Sequence, residues 1–344
     1  MITGCAALLW TPDEIRVLTP NGEYRRRTSI APDDRYCLRL ISDDAGRLYL
    51  RTVDNRQPFA ISLDQGRHFE PVLPIPAART VISPYNYKVH PSSAVITALE
   101  PGQLWSYSIT SARWESRDLP PDLHVRDVSF DANDGLWCAG SVASRRIPGE
   151  ETEAAVRYQW APAAAFESRS PRLGVLDAAK VIRQGGLAEL RTIDAASDPV
   201  VATSICSWLL DDSSSFVFVF KPKKTHVQRL KGEMICRIDR SKPGALRVFT
   251  HQGTVWQQRW AIWNQSSLVQ PIVKSLARST QRILIRGMDA CQETIATAVE
   301  LSRPEDQEPE LTALCVSESG GTLFEGFFRR MFNNAEILDV ALLR

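Results

Sequence analysis

Gly46-Arg47-Leu48-Tyr49, Gly102-Gln103-Leu104-Trp105, Gly135-Leu136-Trp137, Gly253-Thr254-Val255-Trp256 and Gly321-Thr322-Leu323-Phe324 are variants of one fragment. In each, glycine opens a short apolar stretch that ends in an aromatic residue. Glycine reaches turn conformations closed to other residues, and an apolar residue beside an aromatic suits a half-buried strand. Copies spaced a few tens of residues apart indicate repeated β-meanders. The spacing is uneven: Gly46 to Gly102 is long and Gly102 to Gly135 is short. Gly185-Gly186-Leu187 and Ser213–Phe216 stand as degenerate copies before Gly253.

The flanking sequence agrees. Ala7–Trp10 and Ile15–Leu18 are strand-like and separated by the turn Thr11-Pro12-Asp13-Glu14, and Asn21-Gly22 is a hairpin signal. Tyr36–Ile41, Leu48–Thr52 and Phe59–Leu63 follow with short connections, the mark of local antiparallel pairing. No long stripe of helical period is present; Ala335–Leu343 suits either a terminal helix or a closing strand. At about 40–50 residues per four-stranded blade, the chain makes about seven blades. The expected fold is therefore all-β: a seven-bladed β-propeller of four-stranded antiparallel blades, forming a single domain over residues 1–344. A β-sandwich or two smaller β domains are the alternatives. N- and C-terminal strands are expected to close one blade, Ala7–Trp10 or Ile15–Leu18 joining Leu311–Val316 and Thr322–Phe328. The polar segment 144–153, with Pro148-Gly149, reads as a loop insertion.

Composition excludes several function classes. Of 344 residues, 44% are hydrophobic and 24% charged, enough apolar material for a sizeable core. With 41 basic and 40 acidic side chains the formal net charge is +1, so no long-range field steers nucleic acid or an anionic membrane surface. No apolar run reaches the length of a membrane helix, and Met1–Cys5 does not read as a secretory leader. Seven scattered cysteines form no CxxC pair and read as buried thiols in a reducing cytoplasm. The five histidines lack metal-ligand spacing, and no phosphate loop, dinucleotide fingerprint or nucleophile elbow occurs. No cofactor and no metal are expected.

Ser62-Leu63-Asp64-Gln65-Gly66-Arg67-His68-Phe69 resembles the Asp-box, or BNR repeat, at Ser62, Asp64, Gly66 and Phe69, with His68 where the family has threonine. The resemblance implies a hairpin turn between the outer strands of a propeller blade, a structural and not a catalytic element. An Asp side chain accepts backbone N–H bonds within such a turn and glycine supplies a positive φ. Asp-box propellers include sialidases, which carry an Arg-Ile-Pro motif and a Tyr nucleophile. Arg146-Ile147-Pro148 matches, but it lies after the Asp-box, and Arg145 stands where an aromatic is usual. Tyr87 and Tyr158 are nucleophile candidates that no spacing selects.

Candidate binding residues are Arg145 and Arg146, Trp256 and Trp260, and Arg329 and Arg330. Trp256 and Trp260 would share one face of a strand, with Trp263 opposite or beyond a bend. Aromatics so placed can line a sugar or peptide groove, although they equally suit packing between blades. With no catalytic constellation, and with loops of many blades offered for recognition, the expectation is a non-enzymatic protein-binding propeller. Its concrete form is a cytoplasmic immunity protein or toxin antagonist that binds a cognate effector. A sialidase-like or other glycan-active enzyme and a scaffold subunit of a larger assembly are the alternatives.

Overall fold

The structure, a computed structural model, describes residues 4–9, 14–19, 22–27, 37–43, 45–52, 58–72, 74–76, 82, 86–90, 95–119, 123–133, 135–143, 151–159, 190–205, 215–221, 224–241, 245–259, 262–275, 282–302, 311–322, 325–328 and 337–343. Its strands form consecutive antiparallel meanders, the blades of a β-propeller, grouped in two compact units: residues 1–74 with 235–344, and residues 75–234.

The first unit holds four sheets. One joins β1 (Gly4–Leu9), β2 (Glu14–Thr19) and β3 (Gly22–Arg27) to the C-terminal β27 (Ile337–Leu343), which pairs with β1. The next is β4 (Cys37–Ser42), β5 (Leu48–Thr52), β6 (Phe59–Ser62) and β7 (Glu70–Pro71). The third is β19 (Ile235–Asp239), β20 (Ala245–Thr250), β21 (Thr254–Arg259) and β22 (Ile262–Ser267). The fourth is β23 (Arg282–Cys291), β24 (Thr294–Ser302), β25 (Leu311–Ser317) and β26 (Glu325–Phe328). A short helix, Val269–Ser275, links the last two sheets.

The second unit holds three. They are β8 (Tyr87–His90) through β9 (Val95–Glu100) and β10 (Gln103–Ser108) to β11 (Arg113–Asp118); β12 (Leu123–Phe130), β13 (Gly135–Ala143) and β14 (Glu151–Gln159); and β15 (Thr192–Asp194), β16 (Val200–Ile205), β17 (Ser215–Lys221) and β18 (Lys224–Leu230).

Three expectations are corrected. Among the described residues six blades are four-stranded, where seven were expected; β12–β14 has three strands, and residues 160–189 after it lie outside the described residues. The C-terminal strand that closes the first blade is β27, whereas β25 and β26 belong to the sheet of β23 and β24. A strand has the reach to join β1 only if its own neighbours leave an edge free, and β25 is already paired on both sides. Finally, Glu151–Glu153 are not loop but the start of β14, and residues 144–150 lie outside the described residues.

Period-2 alternation explains why so many strands read as continuous apolar runs. Successive side chains point to opposite faces, and here each face meets a different sheet. In β1, Ala6 packs with Leu40, Leu48 and Leu50, while Ala7 packs with Ala296, Ala298 and Leu314. In β13, Leu136 and Cys138 join Leu104 and Val128, while Trp137 and Ala139 join Phe216 and Phe218. The cluster around Ala7 is rich in small residues, with Ala296, Ala298 and Ala7 itself, whereas the cluster around Phe249 and Ile285 is bulkier. Each fully buried Leu or Phe contributes about 1.5–3 kcal/mol.

The Gly-aromatic fragments do not mark one position in the blade. Gly46 and Gly135 lie between the first and second strands, Gly102 and Gly253 between the second and third, and Gly321 between the third and fourth. They are one solution to a tight antiparallel turn used at three places, which is why their intervals are unequal. In two of these turns the same side chain does the same work. Asp43 Oδ1 accepts the N–H groups of Ala45 and Arg47, and its Oδ2 accepts the Tyr49 hydroxyl at 2.7 Å. Asp131 Oδ1 accepts those of Asn133 and Gly135, and its Oδ2 accepts Trp137 Nε1–H at 3.0 Å. The aromatic is thus tied to its own turn by its polar end.

Candidate functional site on the first strands

Four of the six buried acids among the described residues, Asp127, Asp239, Asp289 and Asp339, lie on the first strands of their sheets. Within the first unit β19, β23, β27 and β4 lie in contact in that order, and within the second β12 contacts β15. Five first strands carry a one-residue register shift: β4 between Cys37 and Arg39, β12 between Val125 and Asp127, β19 between Ile235 and Arg237, β23 between Ile285 and Gly287, and β27 opposite Leu8 and Leu9. A bulge re-aims the side chains beyond it. The residues that follow are Arg39, Asp127, Arg237, Gly287 and Asp339.

In the first unit, Asp339 Oδ2 accepts Leu40 N–H of β4 at 3.0 Å and Oδ1 accepts Val340 N–H at 2.9 Å. Gly287 of β23 leaves the room for it: a Cβ there would stand 2.8 Å from Asp339 Cα and overlap its carboxylate. Asp289 binds three strands. Its Oδ2 accepts the Ser42 hydroxyl of β4 and Leu342 N–H of β27, both at 3.0 Å, and its Oδ1 accepts Arg237 Nη2–H of β19 at 2.8 Å. Burial raises Asp339 to about 6, against Arg39 and the two N–H groups, which favour the charge; Asp289 adds to the rise. Arg247 donates through Nε to Asp239 at 2.8 Å and through Nη2 to the Gln292 carbonyl, its guanidinium lying over the Phe249 ring.

The second unit repeats the device. Asp127 Oδ2 accepts both Lys88 Nζ–H of β8 and Ile193 N–H of β15 at 2.7 Å, and Lys88 also donates to the Ile193 carbonyl. Arg126, the extra residue of the bulge, grips Glu153 with two bonds of 2.7 Å, and Glu153 accepts Leu190 N–H. Burial raises Asp127, opposed by Lys88. His90 is buried, its Nε2 bonded to the Thr97 hydroxyl and its ring edge-on to Phe130 at 5.0 Å; burial, then Lys88, lowers it well below 6.5.

Chemically these groups are fasteners. A carboxylate that accepts a backbone N–H from another strand, as Asp127, Asp289 and Asp339 do, has part of its accepting capacity committed to holding that strand. Candidate nucleophiles are equally hindered: burial, then Glu100, raises Tyr87 to about 12, Tyr158 is buried, and burial raises Cys236 to about 11. Among the described residues no cluster of three His, Cys, Asp or Glu could hold a metal ion.

Of the residues singled out in the sequence, Trp256 and the Ser62–Phe69 turn are among those described. Arg145, Arg146, Trp260, Arg329 and Arg330 lie outside the described residues. Trp256 is half-buried on β21, opposite Val248 and Gln265. Trp263 lies beyond the hairpin, and its pairing with Gln258 returns it to the face of Trp256. Ser62, Asp64, Gly66 and Phe69 form the turn from β6 to β7. Ser62 Oγ accepts Gly66 N–H at 2.7 Å and donates to Asp64 Oδ1, which accepts His68 N–H at 2.9 Å. Burial pushes Asp64 up, but the bonds from His68 and Ser62 outweigh it and hold the acid at about 2. Gln65 and Gly66 take φ of 59° and 87°, and Phe69 is buried beneath. The turn from β25 has the same form: Ser317 Oγ accepts Ser319 and Gly321 N–H, and Gly320 and Gly321 take φ of 69° and 90°.

The first-strand acids escaped the sequence reading. Their signal is a lone Asp in an apolar strand, as in Gly287-Met288-Asp289-Ala290 and Ile337-Leu338-Asp339-Val340, which only the bulges convert into contacts with a neighbouring sheet.

No protein-family model and no curated protein sequence matches the chain. Solved structures with a similar arrangement of strands include YCF48 bound to a D1 peptide (9% identity, 88% of this chain and 90% of that one, TM-score 0.45). A chain of the mitotic checkpoint complex is 8% identical, covering 85% and 76%, with a TM-score of 0.48. YCF48 from Cyanidioschyzon merolae is 9% identical, covering 88% and 96%, with a TM-score of 0.41. Likeness at this level carries no statement of function.

Proposed function

We propose that this chain is a non-enzymatic, protein-binding β-propeller. The engagement of Asp127, Asp289 and Asp339 with backbone N–H groups of adjacent sheets supports this: the best-placed acids hold the scaffold, which leaves the scaffold to present surface. The narrower form is an antagonist of a cognate toxic effector in a reducing cytoplasm, where buried thiols such as Cys138, Cys236 and Cys315 persist. We also read the Ser62 and Ser317 turns as Asp-box-type turns, on the strength of their shared hydroxyl acceptor and paired positive φ.

Affinity purification of the tagged chain from its host, with mass spectrometry of the eluate, tests the proposal. One stoichiometric protein partner is expected. A partner that arrests growth when expressed alone and is neutralised by co-expression marks the antagonist form. Absence of any partner, or turnover of a glycan that Arg146→Ala abolishes, overturns the proposal.

A further inference from the structure

β22 ends its sheet and lacks what keeps such strands apart. An edge strand presents unpaired N–H and C=O groups, which charge, proline or a bulge ordinarily protects. Among the described residues, the last strands of the other four-stranded sheets all carry charge: a run of arginines on β3, Glu70 on β7, Glu115 on β11, Lys224 on β18 and Glu325 on β26. β22 reads Ile262-Trp263-Asn264-Gln265-Ser266-Ser267, without charge or proline, and it pairs with β21 without a register shift. Its residues are exposed except Trp263, which is half-buried.

The direction of its main-chain groups follows from one bond. Leu268 N–H donates to the Gly253 carbonyl at 2.8 Å, which makes Leu268 and Gly253 a hydrogen-bonded pair of the antiparallel ladder. Such pairs alternate along the ladder. The next ones are Ser266 with Val255, Asn264 with Gln257 and Ile262 with Arg259. The N–H and C=O groups of Trp263, Gln265 and Ser267 therefore point away from β21, to the open edge.

These positions are self-complementary. A second β22, turned about a twofold axis at Gln265, sets Trp263 against Ser267, Gln265 against Gln265 and Ser267 against Trp263. The outward N–H groups of each copy then meet outward C=O groups of the other. The bulkiest side chain falls opposite a small one, Asn264 falls opposite Ser266, and the two Gln265 amides can bond each other. No like charges meet, whereas β3 laid on its own copy would bring arginines together. Pairing uses up this edge in both copies, so association closes at two.

We propose that β22 is a self-association edge, through which two copies of this chain pair antiparallel about Gln265 and join their four-stranded sheets into one. This goes beyond the protein-binding function proposed above and does not depend on it. A strand of six residues makes a small interface beside the roughly 800 Å² per partner of a standard one, so the dissociation constant is micromolar or weaker.

The test is sedimentation velocity of the full chain over about 1–200 µM, the range in which micromolar association is read. Wild type, Gln265→Lys, Gln265→Glu and an equimolar mixture of the two variants are compared. Wild type is expected to dimerise as concentration rises. Each variant sets like charges opposite each other and is expected to bind its own copy at least about tenfold more weakly, while the mixture sets opposite charges together and recovers the dimer. Gln265 is exposed, so both variants are expected to melt as the wild type does, and recovery in the mixture separates a lost contact from misfolding. Amide hydrogen exchange of the wild type reads the register. The Trp263, Gln265 and Ser267 amides are expected to slow with concentration, whereas those of Asn264 and Ser266, held by β21, are slow throughout. A wild type monomeric over the whole range, variants that dimerise as it does, a mixture that does not recover, or outward amides indifferent to concentration overturns the proposal. Protection of those amides only when another protein is added assigns the edge to that protein and overturns self-pairing.

Discussion

Replacing Gly140 with alanine asks whether the β12 bulge is shaped by main chain alone. Gly140 pairs with Val125, one step before the register shift that brings Asp127 to Ala139. An added Cβ would overlap the His124 carbonyl oxygen and stand 2.9 Å from its carbonyl carbon and 3.1 Å from Val125 Cα. All three are backbone atoms, so no rotamer change relieves the contact. Overpacking costs about 1–3 kcal/mol where side chains can adjust; here β12 itself must move, which takes Asp127 away from Lys88 and Ile193. Weakening those bonds adds about 1–3 kcal/mol, for a total near ~4 kcal/mol. Gly102→Ala is the control: nothing lies within 4 Å of its added Cβ, but its φ is 76°. Backbone strain there costs about 1–2 kcal/mol. At roughly 2–4 °C per kcal/mol for a unit of this size, Gly140→Ala should lower the melting temperature by about 8–16 °C and Gly102→Ala by about 2–8 °C. A shift for Gly140→Ala no larger than that for Gly102→Ala would show that the bulge yields easily, and the close approach would not be what specifies it.

Three further outcomes are expected. Asp289→Ala removes the acceptor shared by Ser42, Leu342 and Arg237; it should cost about 3–5 kcal/mol, and hydrogen exchange at the Leu342 amide should accelerate, an unchanged rate there counting against the latch. Asp339 has a folded pKa of about 6 against an ordinary 3.8, so the folded chain binds the proton more readily and this group adds stability as pH falls from about 6 towards 4. The ionised form costs roughly 3 kcal/mol at neutral pH. Asp339→Asn should abolish that gain, and a pH-independent difference in melting temperature between variant and wild type would refute it. His90 is held neutral well below 6.5, so its contribution is intact above pH 6.5 and lost below it, at up to about 1.4 kcal/mol per pH unit. His90→Gln should flatten the acid side of the stability profile, and an unaltered slope would mean that the ring protonates in place.

The sheets were legible because both faces of most strands are buried, which writes continuous apolar runs between Gly, Asn and Pro turns. Their order was less so. The Gly-aromatic fragment signals a tight turn wherever one occurs, and equating it with a blade period turned Gly46, Gly102 and Gly135 into false equivalents. Ser62–Phe69 was readable because its hydrogen bonds are local, from Ser62 to Gly66 and from Asp64 to His68. The first-strand cluster was not, because Asp289 reaches Ser42 and Asp339 reaches Leu40 across most of the chain. Nothing in Leu338-Asp339-Val340 announces which backbone N–H its acid will meet; that depends on a bulge, a glycine at 287 and the path of another strand.

Pairing of β1 with β27 also has a consequence in time. Gly4 waits for Leu343, a partner made roughly 340 residues later. At about 5–20 residues per second, the free edge of β1 is presented for about 17–68 s of synthesis before its complement exists. Through that interval Ala6 and Ala7 lie beside unsatisfied main-chain groups, and nascent chains on neighbouring ribosomes offer the same unfinished edge. The hazard of misassembly therefore belongs to the chain's birth and not to its mature form, and the final strand acts as the stroke that ends it.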